Sequence, residues 1–477
     1  MLLKHFFVEK IAHSSYLLAG NSTCAVIDPA RDVGMYLIAA SSLGLKITHI
    51  LETHLHADFI SGHMDLARAT GAKIIAPRSA ECRFPHTGVS EGDRFRIEDI
   101  QFRVLETPGH TPEHIAYVVT DTARGRDPAG VFCGDTLFVG DVGRPDLFPG
   151  KAHQLASKLY DSLHEKLLKL PDFCEVYPAH GAGSLCGRSM GAKWRSTIGY
   201  ERRYNAALQI EDREAFIRSL TEDMPPAPDH FSRCSAINAK GPALLQDMPP
   251  IERLDAAAFE KRIRRESALV LDVRSHDAFG GQHIPGSLNI DFGGNFAVFA
   301  GWIIPPKKDI FLVKEADTDA GQIAVWLHRV GIDRVRGVLD GGLFAWARSG
   351  RPTAHVPQIS AHELFERARH PEKLTLVDVR APGEYAPNHI EGAINIPAPD
   401  LRERHGELDP EAEIVVICST GHRSSLAASL LLQRGFRRVT NTAGGMTGYG
   451  AAGFAPRCPV CFIPHASHFL GKETVTG

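Results

Sequence analysis

Leu271-Asp272-Val273-Arg274 recurs as Val377-Asp378-Val379-Arg380, and His283-Ile284-Pro285-Gly286-Ser287-Leu288-Asn289-Ile290 recurs as His389-Ile390-Glu391-Gly392-Ala393-Ile394-Asn395-Ile396, both at an offset of 106 positions. Farther on, Asp340-Gly341-Gly342-Leu343 is answered by Ala443-Gly444-Gly445-Met446 at an offset of 103. A period this long means duplicated domains, because solenoid units repeat every ~20–50 residues. Each copy alternates short apolar runs with helical stretches: Ala268–Leu271 and Ile310–Val313 in the first, Leu374–Val377 and Ile414–Ile417 in the second. Strands apolar on both faces, set between helices, predict a parallel sheet covered on both sides.

The rest of the chain reads differently. Its 477 residues are too many for one ordinary domain, and the prolines of Met224–Pro228 and Met248–Pro250 mark a linker before the repeats. Upstream, Phe102-Arg103-Val104-Leu105 alternates like a half-exposed antiparallel strand, and Ala152 to Leu170 reads as a helix. A net charge of −3 with no long basic run argues against nucleic acid as a partner. No apolar stretch reaches the ~18 residues of a membrane span, and the N-terminus lacks a cleavage pattern. Nine scattered cysteines do not form a disulfide framework, so a reducing cytoplasm is expected.

Nearly all the clustered histidines lie upstream of the linker, in four loops. Thr53-His54-Leu55-His56-Ala57-Asp58-Phe59 follows the strand-like run Ile47–Leu51, and Thr107-Pro108-Gly109-His110-Thr111 follows Phe102–Leu105. Cys133-Gly134-Asp135-Thr136 follows Val131-Phe132, and Tyr177-Pro178-Ala179-His180-Gly181 has the same strand-then-histidine form. One such histidine is more often structural than a ligand; four such loops in order are not. The order resembles the metallo-β-lactamase superfamily over about residues 1–230, which implies an αββα sandwich with metal at the sheet edges. Phe59 stands where the two-metal hydrolases of that superfamily place a histidine, so a second metal site is expected to be empty.

The resemblance narrows to the persulfide dioxygenases, which hold one Fe(II) through two histidines and a carboxylate. Carried over by motif position, His54, His110 and Asp135 would bind the iron, and His56, Asp58 and His180 would fix the ligand imidazoles. Such a set leaves coordination positions open for O2. Gly140-Asp141-Val142-Gly143-Arg144 resembles that family's Gly-Arg loop, and Arg144 would hold a substrate carboxylate or the surroundings of the iron ligands, unless it is a surface arginine. Tyr177 is a candidate donor to the substrate or else a core aromatic. Cys186 lies close enough to the last loop to meet a persulfide, and the bland alternative is a buried, inert thiol.

In the second repeat the strand Ile414–Ile417 runs into Cys418-Ser419-Thr420-Gly421-His422-Arg423-Ser424, and a helix over Ser425–Gln433 is expected to follow. A thiol there faces backbone N–H groups and a helix N-terminus, both of which favour thiolate, and Arg423 adds positive charge. The loop resembles the rhodanese active-site loop, over about residues 356–455. Cys418 would then carry a persulfide, with Arg380 and Arg423 framing the incoming anion. In the first repeat Lys314 falls opposite Cys418, followed by Glu315-Ala316-Asp317-Thr318-Asp319. That copy should be catalytically dead, serving packing or oligomer contact.

The expectation is therefore an α/β multidomain protein: a metallo-β-lactamase αββα domain (1–240), a rhodanese-like domain without its cysteine (241–355), a rhodanese domain with it (356–455) and a tail (456–477) carrying Cys458 and Cys461. As the resemblance implies, it would be a cytoplasmic, homo-oligomeric enzyme oxidising a small-molecule persulfide with O2 to sulfite. Sulfur transfer that makes or uses thiosulfate would be coupled to this, with one Fe(II) per chain and no membrane span. The alternative is a glyoxalase II-like hydroxyacylglutathione hydrolase with two metals and a sulfur-carrier rhodanese tail.

Overall fold

A computed structural model describes residues 1–454 apart from 189, 223, 225, 266 and 371–373. Cys458 and Cys461 lie outside the described residues. The chain forms two compact units, Met1–Met248 with Val325–Asp333, and Pro249–Ala324 with the described residues from Arg334 onward. No described helix is long and apolar enough to cross a membrane.

The first unit contains two six-stranded sheets. One orders its strands as in sequence, Leu2–Val8, His13–Ala19, Thr23–Ile27, Lys46–Leu51, Lys73–Pro77 and Thr87–Val89. The other runs Arg94–Ile97, Ile100–Glu106, Ile115–Asp121, Gly130–Gly134, Glu175–Pro178 and Ser196–Thr197. Ile100–Glu106 buries alternate side chains, as its sequence predicts. Tyr16, Ile27, Leu51, Phe102, Tyr117 and Phe132 fill the space between the sheets. On the outer face of the second sheet, Leu105, Val118 and Val131 pack against Leu159, Leu163 and Leu167.

Those last three leucines show where the sequence reading was too simple. The single helix expected over Ala152 to Leu170 is an α-helix over Ala152–Asp161, a π turn over Ser162–Lys166 and a 3-10 turn over Leu167–Lys169. The change of winding keeps Leu155, Leu159, Leu163 and Leu167 all on the core, where a strict 3.6-residue period would drift off it.

The second unit contains the two repeats, each with a five-stranded, wholly parallel sheet. Strand order is Glu252–Leu254, Val335–Leu339, Asp309–Val313, Ala268–Asp272, Leu288–Asn289 in the first. It is Gln358–Ile359, Val439–Thr442, Ile414–Ile417, Thr375–Asp378, Ile394–Asn395 in the second. Register aligns the copies residue by residue: Asp272 pairs with Val313, and Asp378 with Ile417. The residue after Val313 is Lys314 and the residue after Ile417 is Cys418, so the two occupy the same place in the fold.

Candidate metal centre and sulfur loop

The ends of four strands in the first unit deliver the histidine loops to one place. His54 follows Lys46–Leu51, His110 follows Ile100–Glu106, Asp135 follows Gly130–Gly134 and His180 follows Glu175–Pro178. All four side chains are buried. One nitrogen each of His54 and His110 and one oxygen of Asp135 lie within 4.8 Å of one another. His54 Nε2 stands 3.8 Å and His110 Nε2 3.3 Å from Asp135 Oδ2.

Hydrogen bonds fix which nitrogen faces inward. Thr53 Oγ1 donates to Asp28, so it accepts from His54 Nδ1 at 2.9 Å. His110 Nδ1 donates to the carbonyl of Arg144 at 2.9 Å. Both Nε2 atoms are left buried without a hydrogen-bond partner, the condition of an imidazole poised to ligate. Burial holds both rings below the usual histidine range, and so neutral. Burial opposes ionisation of Asp135, yet His180, held charged beside it, outweighs burial and keeps the carboxyl well below its usual range. Two neutral imidazoles and a carboxylate thus converge on one point, a donor set that fits a divalent metal ion.

His56, Asp58 and His180 lie around this set: His56 turns to Asp28, while His180 joins Asp58 to Asp135. His56 Nε2 faces Asp28 at 3.2 Å, and Asp28 and Glu52 raise its pKa against the opposing effect of burial. His180 bridges Asp135 at 2.7 Å and Asp58 at 2.8 Å, and burial notwithstanding, those two carboxylates hold it well above its ordinary value. Phe59 is completely buried, its ring 4.1 Å from that of His13 and 4.5 Å from that of His56. A phenyl ring therefore occupies space between imidazoles and offers no ligand. Cys186 is buried beside Asp58 and His180, and burial keeps its thiol protonated.

Glycine is required where the backbone closes on this cluster. A Cβ on Gly143 would stand 1.9 Å from the carbonyl oxygen of Asp135 and 3.0 Å from His110 Cβ. Gly143→Ala should therefore displace two ligands at once. The expected result is a loss of ~1–3 kcal/mol in denaturant unfolding, the range for overpacking, together with weaker metal binding.

In the second repeat, Cys418 is buried at the end of Ile414–Ile417, and the following helix begins at His422, three residues earlier than the sequence pattern placed it. Its Sγ accepts from the Gly421 N–H at 3.1 Å and lies 3.4 Å from the Ser424 hydroxyl, which also reaches the Gly421 carbonyl at 3.1 Å. Gly421 has φ +112°, a left-handed conformation that turns its N–H onto the sulfur. From the outside, Met446 N donates to the Cys418 carbonyl, and a Cβ on Gly445 would meet that carbonyl at 2.3 Å. The Gly-Gly pair recognised in both repeats is thus the wall behind the loop.

Arg423 reaches the loop through a carboxylate. Its guanidinium donates to Glu384 at 2.6 and 2.8 Å and to Ser419 Oγ at 2.6 Å. Burial opposes ionisation of Glu384, but Arg423 overcomes it and brings the carboxyl down to about 2 from 4.5. A depressed carboxyl pKa contributes stability that is complete above the unfolded value and is lost as pH falls through the folded one. The clamp should accordingly hold above about pH 4.5 and open toward about pH 2. Carboxyl-carbon NMR of Glu384 should follow that midpoint, and Arg423→Ala should raise it.

Models of known families match in the same two places. The metallo-beta-lactamase superfamily matches residues 9–180, and the rhodanese-like domain matches residues 255–349 and again 360–452. The hydroxyacylglutathione hydrolase of Rhodospirillum rubrum is 43% identical over 169 residues, 35% of this chain and 60% of that protein. The chain spans only 60% of the length of this hydrolase and of its Methylococcus capsulatus counterpart. The mitochondrial persulfide dioxygenase ETHE1 of Mus musculus is 30% identical over 237 residues, 48% of this chain and 85% of that protein. A metallo-beta-lactamase crystal structure from Staphylococcus aureus subsp. aureus COL superposes with TM-score 0.64 at 33% identity, covering 71% of this chain and 98% of that one. The chain belongs to the metallo-β-lactamase superfamily and carries two rhodanese-like domains.

For this metallo-β-lactamase–rhodanese fusion, the structure gives three of the expected substrate contacts partners within the protein, and for Arg144 and Tyr177 these match the alternatives the sequence left open. Arg144 is buried with its guanidinium on Asp146 at 2.6 and 2.7 Å and on the Leu185 carbonyl; its backbone carbonyl, which orients His110, is what serves the metal centre. Tyr177 lies in the core between the sheets and its hydroxyl donates to Glu175. Its ring lies against Gly130 at the start of the neighbouring strand, whereas Asp135 follows the other end of that strand. Arg380 is buried on Asp378 and the Asn388 carbonyl. Arg274 makes the same contacts to Asp272 and the Gln282 carbonyl in the copy that lacks the thiol, so this pair belongs to the scaffold that both repeats share.

Three residues escaped the sequence reading. His114 accepts from the Asp135 N–H at 2.9 Å and stacks on His54, and burial brings its pKa down to about 3. His13, wholly buried, stands against Phe59 with both ring nitrogens unpartnered. Glu384 could have been found by comparing the repeats, because the first copy has Ala278 at the matching position: carboxylate and thiol are absent together.

Proposed function

We propose that residues 1–240 form a persulfide dioxygenase and residues 356–455 a sulfurtransferase, joined by an inactive rhodanese-like domain over 241–355. The observation that carries the reading is the convergence of His54, His110 and Asp135, two imidazoles with buried, unpartnered Nε2 atoms and one carboxylate, with the Phe59 ring packed on His56. His54, His110 and Asp135 would hold one Fe(II), which when bound supplies the activation of O2. The likeness to ETHE1 supports the same reading.

The overall reaction would be RSSH + O2 + H2O → RSH + SO3²⁻ + 2H⁺, with glutathione persulfide as the representative substrate. The protein's part is to keep both Nε2 atoms unprotonated, through the Thr53 and Arg144 carbonyl contacts, and Asp135 ionised. In the second repeat, a persulfide on Cys418 would pass its outer sulfur to sulfite. The new S–S bond gives thiosulfate, and the Cys418 thiolate leaves with the electron pair of the broken bond. The Gly421 N–H already points at that sulfur and, with the Ser424 hydroxyl 3.4 Å away, would stabilise the departing thiolate. The seven described cysteines are all unpaired, which suits a reducing cytoplasm.

The hydrolase relatives favour a second reading, thioester hydrolysis with two metal ions. Metal analysis with oxygen uptake separates the two. One iron per chain and uptake with glutathione persulfide are expected; two zinc ions and thioester turnover without uptake would overturn the proposal.

A further inference from the structure

We propose that His276, Asp291 and His422 form a second metal site, for a divalent transition ion of the zinc class, that ties the sulfur loop of the second repeat to the first repeat.

One ligand atom from each of the three residues lies within 4.8 Å of the others. His422 Nδ1 stands 3.0 Å and His276 Nδ1 3.5 Å from Asp291 Oδ2. Around an ion at ~2.1 Å in tetrahedral geometry, ligand atoms sit ~3.4 Å apart. The spacing also parallels the buried cluster, where the corresponding separations are 3.8 and 3.3 Å. His276 Nδ1 is buried and faces the Asp291 carboxylate at 3.5 Å, too far for a well-formed hydrogen bond. His422 is about half exposed, which leaves a fourth coordination position open to water.

These residues do not belong to the scaffold that the repeats share. At the repeat offset, His276 and Asp291 correspond to Pro382 and Pro397, neither of which can ligate. Asp291 is held in place by the Gly293 N–H on its other oxygen at 2.8 Å. Around it the junction is already built: Ser425 Oγ donates to Asn289 at 2.7 Å, and Asn289 N donates to Ser429 at 3.1 Å. The first repeat thereby contributes to the loop although it has no thiol of its own.

The site adjoins the chemistry. His422 follows Gly421, whose N–H holds Cys418 Sγ, and a Cβ on Gly421 would stand 2.9 Å from His276. A divalent ion held there would add positive charge beside the loop, which favours anionic sulfur species.

The proposal is independent of which metal the buried cluster holds, because its test is a difference. The full-length chain is titrated with zinc to saturation against a chromophoric chelator. Wild type and Cys418→Ser should each bind one equivalent more than Asp291→Asn and His276→Gln. The two substitutions are separate variants, so that one that unfolds leaves the other to decide. If wild type binds no more than a folded Asp291→Asn or His276→Gln, the site does not exist. If Cys418→Ser loses the equivalent, the thiolate holds the ion and the assignment fails.

Discussion

His110→Ala should leave the full-length protein without its buried metal and bring oxygen uptake with glutathione persulfide to background, while sulfur transfer through Cys418 continues. The size of the effect follows from the donor count. Losing a group that merely orients a ligand costs ~10–100-fold in metal affinity; here one of three proposed ligands is itself removed. The structural penalty is smaller. The Arg144 carbonyl loses its donor, and an unsatisfied buried group costs ~1–3 kcal/mol. Metal content by elemental analysis, uptake by oxygen electrode and unfolding by denaturant distinguish lost chemistry from lost fold. Uptake that persisted in the variant would remove His110 from the metal set.

Cys418→Ser should reverse that pattern, lowering sulfur transfer between thiosulfate and a thiol by ~10³-fold or more, the scale on which losing a nucleophile acts. Serine fits the same space and can accept the Gly421 N–H that now reaches Sγ, so the loop should keep its shape. Its oxygen carries no persulfide at neutral pH, so the chemistry should not survive. Iron content and oxygen uptake should be those of wild type. If the proposed coupling operates, sulfite should accumulate with glutathione persulfide as sole substrate, where wild type converts part of it to thiosulfate. Unchanged sulfur transfer in the variant would refute the assignment of Cys418.

The two results together would separate the domains functionally. Their sequences already differ in kind: alternation and histidine loops in the first, apolar strands and a thiol loop in the repeats. The repeats were legible because a duplication exposes what is scaffold and what is not. Asp272-Val273-Arg274 and Asp378-Val379-Arg380 are shared because the buried pair is structural in both copies. Packing decided between the two roles open to Tyr177: a side chain next to a ligand loop in sequence can point along the strand away from it, into the core.

The amino-acid sequence alone determined the number and kind of domains, the four loops that carry His54, His110, Asp135 and His180, and the thiol at Cys418. Each of these is a local pattern of residue type and spacing at the end of a strand. The tertiary structure alone decided the partners. Thr53 and the Arg144 carbonyl select the imidazole tautomers, His114 holds the Asp135 backbone, Glu384 holds Arg423, and Asp291 of one repeat meets His422 of the other. Hydrogen bonds and ion pairs act over ~3 Å in space. They join positions 34, 39 and 131 residues apart in the chain for His110 with Arg144, Glu384 with Arg423 and Asp291 with His422, distances over which a linear pattern carries no signal.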